Sequence, residues 1–357
     1  MKTGSTLQEL AAEILRQKEA KQDYLIDTSA LRMESFDGDL FLRVLDSSAG
    51  DRIEPLDIGD NAHMQIGTHL SIPAKYYSKM REEYPELLSH NVNRWFERAP
   101  AQRMVRTLDG RARAFLSNRY RRLDHYELTE AVLPIIGDMP NARIESCQIT
   151  EDRLYIKVIN PRLQMEVTPG DIVQSGLIIS NSEVGLGSVN IQPLIYRLVC
   201  SNGMVVNDAA AKRHHVGRVA ATEDSFLLYS SETLEADDRA FMMKVQDTVR
   251  AVVEEAQFAR VVDRMREATA VPMNTTDIPE LVRLASREFK ITDEERPGIL
   301  QHLIEGKDLT LYGLANAVTR YSQDVDSYDR ATDLESIGYN ILTMPKRQWD
   351  YINQMAA

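Results

Sequence analysis

Gln102-Arg-Met-Val-Arg-Thr-Leu-Asp-Gly-Arg-Ala-Arg-Ala-Phe-Leu-Ser117 reads as two strand-like runs around an Asp109-Gly110 pair. Asp-Gly suits the two positive-φ positions of a type I′ turn. The stretch therefore predicts a tight antiparallel hairpin, Gln102–Leu108 with Arg111–Ser117. Strand alternation puts Arg103 and Val105 on one face and Met104 and Arg106 on the other. In the second strand it puts Arg111, Arg113 and Phe115 on a common side. Same-face residues follow one another at about 7 Å, close to the phosphate spacing of an extended nucleic-acid strand.

The flanking sequence sets the fold class. Asp124 caps a helix expected to run to about Leu133, with Pro134 marking its end. Two further strand pairs follow: Ala142 to Thr150 with Arg153 to Asn160, and Asp171 to Asn181 with Ser188 to Val199. Ser182-Glu-Val-Gly-Leu-Gly187 joins the last two. Upstream, Leu7, Leu10, Ala11, Ile14 and Leu15 repeat at helical spacing, and Leu40 to Leu45 and Arg52 to Leu56 read as strands. Pro73 and Pro85 each suit the first turn of a short helix, a pair that would also fit a helix-turn-helix. Downstream, Phe241, Val245, Val249, Val252, Ala256 and Ala259 stripe a long helix from Ala236 to about Ala268. Further helices are expected near 278–290, 293–304, 308–321 and 346–355. The expected fold is α+β: a mostly antiparallel β-sheet core with an inserted helix, then a helical C-terminal region. The domain reading is 1–70 as an N-terminal arm and small β region, 71–230 as the α+β core, and 231–357 as the helical region.

The hairpin lies in a strong local charge anomaly. The chain has 357 residues and a net charge of −12, yet Arg94, Arg98, Arg103, Arg106, Arg111, Arg113, Arg119, Arg121 and Arg122 fall within one window. Only Glu97 and Asp109 oppose them, so the window carries +7 and the remainder −19. Arginine rather than lysine favours forked contacts with phosphate or carboxylate and stacking on rings. Trp95, Phe96, Phe115, Tyr120 and Tyr126 are interleaved, giving flat faces for bases beside charge for a backbone. The same arginines suit pairing with acids elsewhere in this acidic chain, a subunit interface, or a small anion.

Other features narrow the chemistry. Cys147 and Cys200 are the only cysteines. They exclude a disulfide framework and a four-cysteine zinc site, and suit a reducing cytoplasm. No stretch approaches the ~20 apolar residues of a membrane span, and the first residues lack a signal-peptide core. Gly185-Leu-Gly187 lacks the third glycine and following helix of a dinucleotide site. Asp324 to Glu335 imitates a calcium loop, but Asp329 stands where the sharp turn needs glycine. His214 and His215 are adjacent and make a poor metal pair. Lys212, Arg213 and Arg218 form a second basic cluster. No catalytic signature is present, so the expectation is a non-enzymatic protein without cofactor or metal.

Four motifs in order carry a resemblance: Arg113-Ala-Phe-Leu-Ser-Asn-Arg-Tyr-Arg121, Gly176 to Gly187, Cys200-Ser-Asn-Gly-Met204, and Leu311-Tyr-Gly-Leu-Ala-Asn-Ala-Val-Thr319. Over about residues 70 to 340 the chain resembles the phage- and plasmid-related proteins of bacterial mobile elements grouped as a domain of unknown function. The resemblance implies a cytoplasmic protein of a mobile element and brings no catalytic residues. The hairpin–helix–strand order from Gln102 to Asn160 is also similar in outline to the core of single-strand annealing recombinases.

Taken together, the expected function is single-stranded DNA binding or annealing by a homo-oligomer through an arginine-rich groove. Arg103, Arg106, Arg111, Arg113, Arg119, Arg121 and Arg122 would grip phosphates, Phe115 and Tyr120 would stack on bases, and Lys212, Arg213 and Arg218 would form the opposite wall. The alternative is an acidic protein-interaction or structural factor of a mobile element, such as a host-defence inhibitor acting on a host protein.

Overall fold

The computed structural model describes residues 1–45, 54–118, 120, 122–187, 189–207, 231–251 and 255–357. The fold is α+β, with two antiparallel-rich sheets and a helical C-terminal region. Two compact units cut across the three-part division read from the sequence. One comprises Ala11–Tyr126 with Ser182–Gly187; the other comprises Met1–Leu10, Glu127–Asn181 and Ser188–Ala357.

The first unit, the hairpin unit, holds a six-stranded sheet in the order β1-β5-β6-β4-β3-β2. Its strands are β1 (Lys21–Asp27), β2 (Leu31–Phe36), β3 (Asp39–Val44), β4 (Leu56–Ile58), β5 (Gln102–Leu108) and β6 (Arg111–Ser117). Three helices lie between β4 and β5: α2 (Asp60–His69), α3 (Ala74–Glu83) and α4 (Pro85–Arg98). This crossover makes β4 and β6 the parallel pair of the sheet. Ile66, Leu88, Val92 and Phe96 of the helices pack with Val105, Ala112 and Phe115 of the hairpin in one buried cluster.

The predicted hairpin forms with the expected bounds. Asp109 (φ 51°) and Gly110 (φ 74°) occupy the turn, as type I′ geometry requires. The alternation fails at one point. Arg106 pairs with Ala114 and Thr107 with Ala112, so Arg113 is an extra residue bulged out of register. The bulge reverses the facing of the strand. Ala112 and Phe115 both join the helix-side core, while Ala114 and Leu116 pack with Met104 and Val184 on the opposite face. Phe115 therefore does not share a side with Arg113, contrary to simple alternation.

The second unit, the meander unit, holds a five-stranded antiparallel sheet in the order β11-β10-β9-β8-β7. Its strands are β7 (Arg143–Ile149), β8 (Leu154–Glu166), β9 (Ile172–Asn181), β10 (Asn190–Arg197) and β11 (Asn202–Val205). Before it, α5 (His125–Asp138) begins in the hairpin unit and continues through Pro134 to Asp138. Pro134 was expected to end that helix. It removes one donor only, and the buried Val132, Ile135 and Ile136 on either side hold the helix together.

The helical region contains α6 (Ser231–Ala251), α7 (Glu255–Thr269), α8 (Ile278–Glu288), α9 (Arg296–Gly306), α10 (Leu311–Tyr321), α11 (Tyr328–Leu342) and α12 (Lys346–Ala356). In α6 the expected stripe buries Phe241, Val245 and Val249. In α7 burial falls on Phe258, Val261, Val262 and Met265 rather than on Ala256 and Ala259, and Val252 lies outside the described residues. Two family-like motifs meet within this unit. Asn202 of β11 donates its side-chain amide to Thr319 of α10, and Gln323 Nε2 donates to the Cys200 carbonyl at 3.1 Å. Tyr312 of α10 donates to Asp171 Oδ2 at 2.8 Å, and Arg197 of β10 grips the same carboxylate at 2.7 and 2.9 Å. These motif residues act as packing and hydrogen-bonding anchors. Among the described residues, no helix is long and apolar enough to cross a membrane.

Candidate functional site

In the hairpin unit the Arg113–Arg121 motif meets Ser182–Gly187, the last part of the Gly176–Gly187 motif. Glu183 lies in Ser182–Gly187, a segment closely attached to Arg106, Arg113, Tyr120 and Leu116. Asn61 and Gln65 of α2 donate to the Val184 carbonyl at 2.8 and 2.7 Å, tying the segment down. Tyr120 donates to the Ser182 carbonyl at 3.2 Å. Glu183 accepts the backbone N–H of His125, the first residue of α5, at 2.6 Å. A carboxylate at a helix start satisfies an otherwise orphaned donor and complements the helix dipole.

Around Glu183 the charges interlock. Lys21 Nζ lies 2.7 Å from Asp124 Oδ2 and 3.3 Å from Glu183 Oε1. Arg106 reaches Asp23 at 3.0 Å, Asp124 at 2.7 Å and the Glu183 carbonyl at 2.9 Å. The bulged Arg113 lies 3.5 Å from Glu183 Oε2, and Arg122 lies 3.2 Å from Asp23. The bulge puts Arg113 on the same face as Arg106, so both guanidinium groups can address this one segment.

Burial makes the pairing obligatory. Arg106 is only 3% exposed and Glu183 2%. Burial works against the Asp124 carboxylate, but Arg106 and Lys21 outweigh it and hold the group below its usual range. Burial likewise opposes ionisation of Glu183, and the cations with the His125 N–H prevail, so its pKa is also lowered. His125 moves the other way for a base: burial pushes it down to about 4, against the pull of Glu183, so the imidazole is neutral at pH 7. The chemistry available here is charge compensation, because each buried charge already faces an opposite one.

The predicted contact residues separate into distinct fates. Arg106 is buried and saturated, which corrects its assignment as a phosphate grip: its donors are spent on Asp23, Asp124 and a carbonyl. Phe115 is also corrected as a base-stacking side chain, being 3% exposed and stacked on Phe96 at 5.8 Å. Arg103 donates to His69 Nδ1 at 2.5 Å, and Arg111 pairs with Asp57 at 3.0 Å. Arg113 and Tyr120 are tied to Ser182–Gly187 as described, and Arg122 is more exposed. Arg119, Arg121, Lys212, Arg213 and Arg218 lie outside the described residues. Of the seven described arginines of the window, five have a carboxylate partner: Arg94, Arg106, Arg111, Arg113 and Arg122.

One surface of the same window lies outside the contact residues chosen from the sequence. Amphipathic α4 buries Leu88, Val92 and Phe96 and leaves Tyr84, Leu87, Arg94, Trp95 and Arg98 exposed. Residues 84, 87, 91, 94, 95 and 98 share a helical face. The Arg98 guanidinium lies 5.6 Å from the Trp95 ring centroid, and Arg94 reaches Glu97 at 3.5 Å. Leu88, Val92 and Phe96, four residues apart, mark the buried stripe, and Trp95 falls at its edge, one heptad after Leu88.

Among the described residues no group of three or more His, Cys, Asp or Glu is arranged to hold a metal ion. No curated protein and no solved structure matches the chain. A sequence profile described as DUF932, a domain of unknown function, matches residues 113–342, beginning at the bulged arginine and ending with the last residue of α11. By that match over more than half its length, the chain belongs to the DUF932 family.

Proposed function

We propose that the protein binds single-stranded DNA without catalysing a reaction, as a cytoplasmic homo-oligomer serving a phage or plasmid. The α4 face supports this reading best: exposed Trp95 beside Arg94 and Arg98 combines a base-stacking surface with phosphate-binding charge. The interface thus moves from the hairpin faces to the helix that precedes them. Annealing needs no nucleotide and no metal; neutralising two backbones removes the repulsion between strands.

A mobility assay with a labelled oligodeoxynucleotide at low salt tests the proposal. Retention by the intact chain and loss in Trp95→Ala/Arg98→Ala support it; no retention by the intact chain removes it. The five carboxylate-paired arginines favour a second reading, a protein-interaction factor of a mobile element with an acidic surface. Capture of a basic host protein that persists after nuclease treatment distinguishes it from the first.

A further inference from the structure

Two exposed rings stand on one side of α4. Tyr84, its N-cap, is 56% exposed and Trp95 46%. Eleven residues, about three turns, separate them, so their attachment points lie roughly 16 Å apart along the axis. Exposed Leu87 stands between them. Tyr84 is fixed at its root. Its backbone N–H closes α3 on the Met80 carbonyl at 2.9 Å, and its own carbonyl accepts from Leu87 and Leu88 at 3.1 and 3.0 Å, opening α4. Pro85 restrains the next position. A ring on so constrained a backbone loses little freedom when a flat partner covers it.

Charge is segregated on the same helix. Arg94 and Arg98 share the face of the two rings, whereas Glu86 and Glu97 fall about half a turn away from Trp95. Neither acid interrupts the path between the rings. Bases that stack on side chains are unstacked from each other. Their spacing is then roughly twice the ~3.4 Å rise of a stacked strand, so a gap of roughly 16 Å spans about two or three nucleotide steps. We propose that Tyr84 and Trp95 are paired platforms for two bases of one unpaired strand, about two or three steps apart, with the strand running along α4 and Leu87 against the intervening base. The ligand class is an unpaired tract of at least about three or four nucleotides; a continuous duplex, whose bases stack on each other, satisfies neither ring. This inference rests on the single-strand reading of α4.

The test uses the full chain and end-labelled octameric deoxyribose-phosphate strands, abasic except for two thymines with zero to five abasic positions between them. Octathymidylate is the reference. Affinity by fluorescence anisotropy is expected to peak at one or two intervening positions, roughly 5- to 150-fold above adjacent thymines, the gain from a second stacked base. Tyr84→Leu keeps an apolar side chain without the flat face and should abolish the peak; Tyr84→Phe should keep it. Affinity indifferent to thymine spacing, a peak that survives Tyr84→Leu, or a peak lost in Tyr84→Phe overturns the proposal. If octathymidylate binding depends on Trp95 but is untouched by Tyr84→Leu, the pairing of the rings falls and the α4 reading stands. If the intact chain does not retain octathymidylate, both fall. Unchanged urea midpoints identify variants that remain folded.

Discussion

Arg106 Nη2 lies 2.7 Å from Asp124 Oδ1, and the arginine is almost wholly buried. The pair joins two residues of the hairpin unit, and Asp23 and the Glu183 carbonyl take the remaining contacts. Removing the arginine takes away the buried cation shared by two carboxylates and leaves, among the described residues, only Lys21 on Asp124 and Arg122 on Asp23. Arg106→Ala is expected to destabilise the hairpin unit by about 3–5 kcal/mol. Arg94→Ala, at a side chain 73% exposed, should leave stability nearly unchanged. Urea denaturation of both variants measures the contrast. Equal midpoints would show that the buried network contributes nothing.

The acid side of the stability profile follows from the same network. His125 has its pKa pushed down to about 4 by burial, against an ordinary value near 6.5. Between those values the unfolded chain binds the extra proton and the folded chain does not. Stability therefore falls as pH drops from about 6.5 towards 4, by about 3 kcal/mol for this group. His63 adds to the slope, since burial against Tyr77 lowers it to about 3. Asp124 and Glu183, both held below the usual carboxylate range, lose their contribution at still lower pH. Denaturant titrations at pH 7, 5.5 and 4.5 should show the decline, and His125→Gln should make it shallower.

The hairpin was legible because Asp109-Gly110 and a period of two are local signals. The Arg113 bulge was not, because no glycine or proline marks it and the carboxylate that Arg113 reaches, Glu183, lies 70 positions later in the chain. The arginine window was equally legible as an anomaly and misleading as a surface. Sequence counts charge within a window, whereas Asp23, Asp57 and Glu183 come from outside it. Trp95 stands one heptad after the buried Leu88, so spacing alone puts it beside the core, and only its exposure in the fold shows the ring at the surface. The two units escaped the sequence because Ser182–Gly187 belongs to one while both flanking strands belong to the other.

A second buried pair tests the meander unit. Lys157 Nζ lies 2.7 Å from Glu335 Oε2, with both side chains fully buried, and 4.7 Å from the Tyr328 ring centroid. Lys157→Met leaves an unpartnered carboxylate, and Glu335→Leu an unpartnered ammonium. Each should cost about 3–5 kcal/mol, while the double variant should cost less than either. Thermal denaturation of the three proteins closes the cycle. Additive losses would mean that the two groups do not compensate each other.

Gly313 explains one glycine of the Leu311–Thr319 motif. A Cβ there would lie 1.8 Å from the Asp308 carbonyl oxygen, in the first turn of α10, where Thr310 caps the Gly313 N–H. Gly176 is similar, with the Val158 carbonyl oxygen at 2.3 Å on the neighbouring strand. In both cases the obstacle is backbone, which cannot rotate away. Gly313→Ala and Gly176→Ala are each expected to cost about 1–3 kcal/mol through overpacking. Gly306→Ala, with nothing within 4 Å, should cost far less. Parallel denaturation of the three alanine variants decides whether close approach sets the ranking.

The α4 proposal separates charge from stacking. Arg94 and Arg98 together would neutralise two phosphates, which corresponds to a log K against log salt slope of about −1.4 for a single strand. Arg94→Ala/Arg98→Ala should flatten the measured slope by that amount. Trp95→Ala removes a stacking face and no charge. It should weaken binding by about 1–3 kcal/mol while leaving the slope in place. Fluorescence anisotropy of a labelled oligonucleotide, titrated at several salt concentrations, gives both quantities. A slope unchanged by loss of the two arginines would place any bound strand on another surface. A slope altered by Trp95→Ala alone would mean that the indole organises the cations rather than the bases.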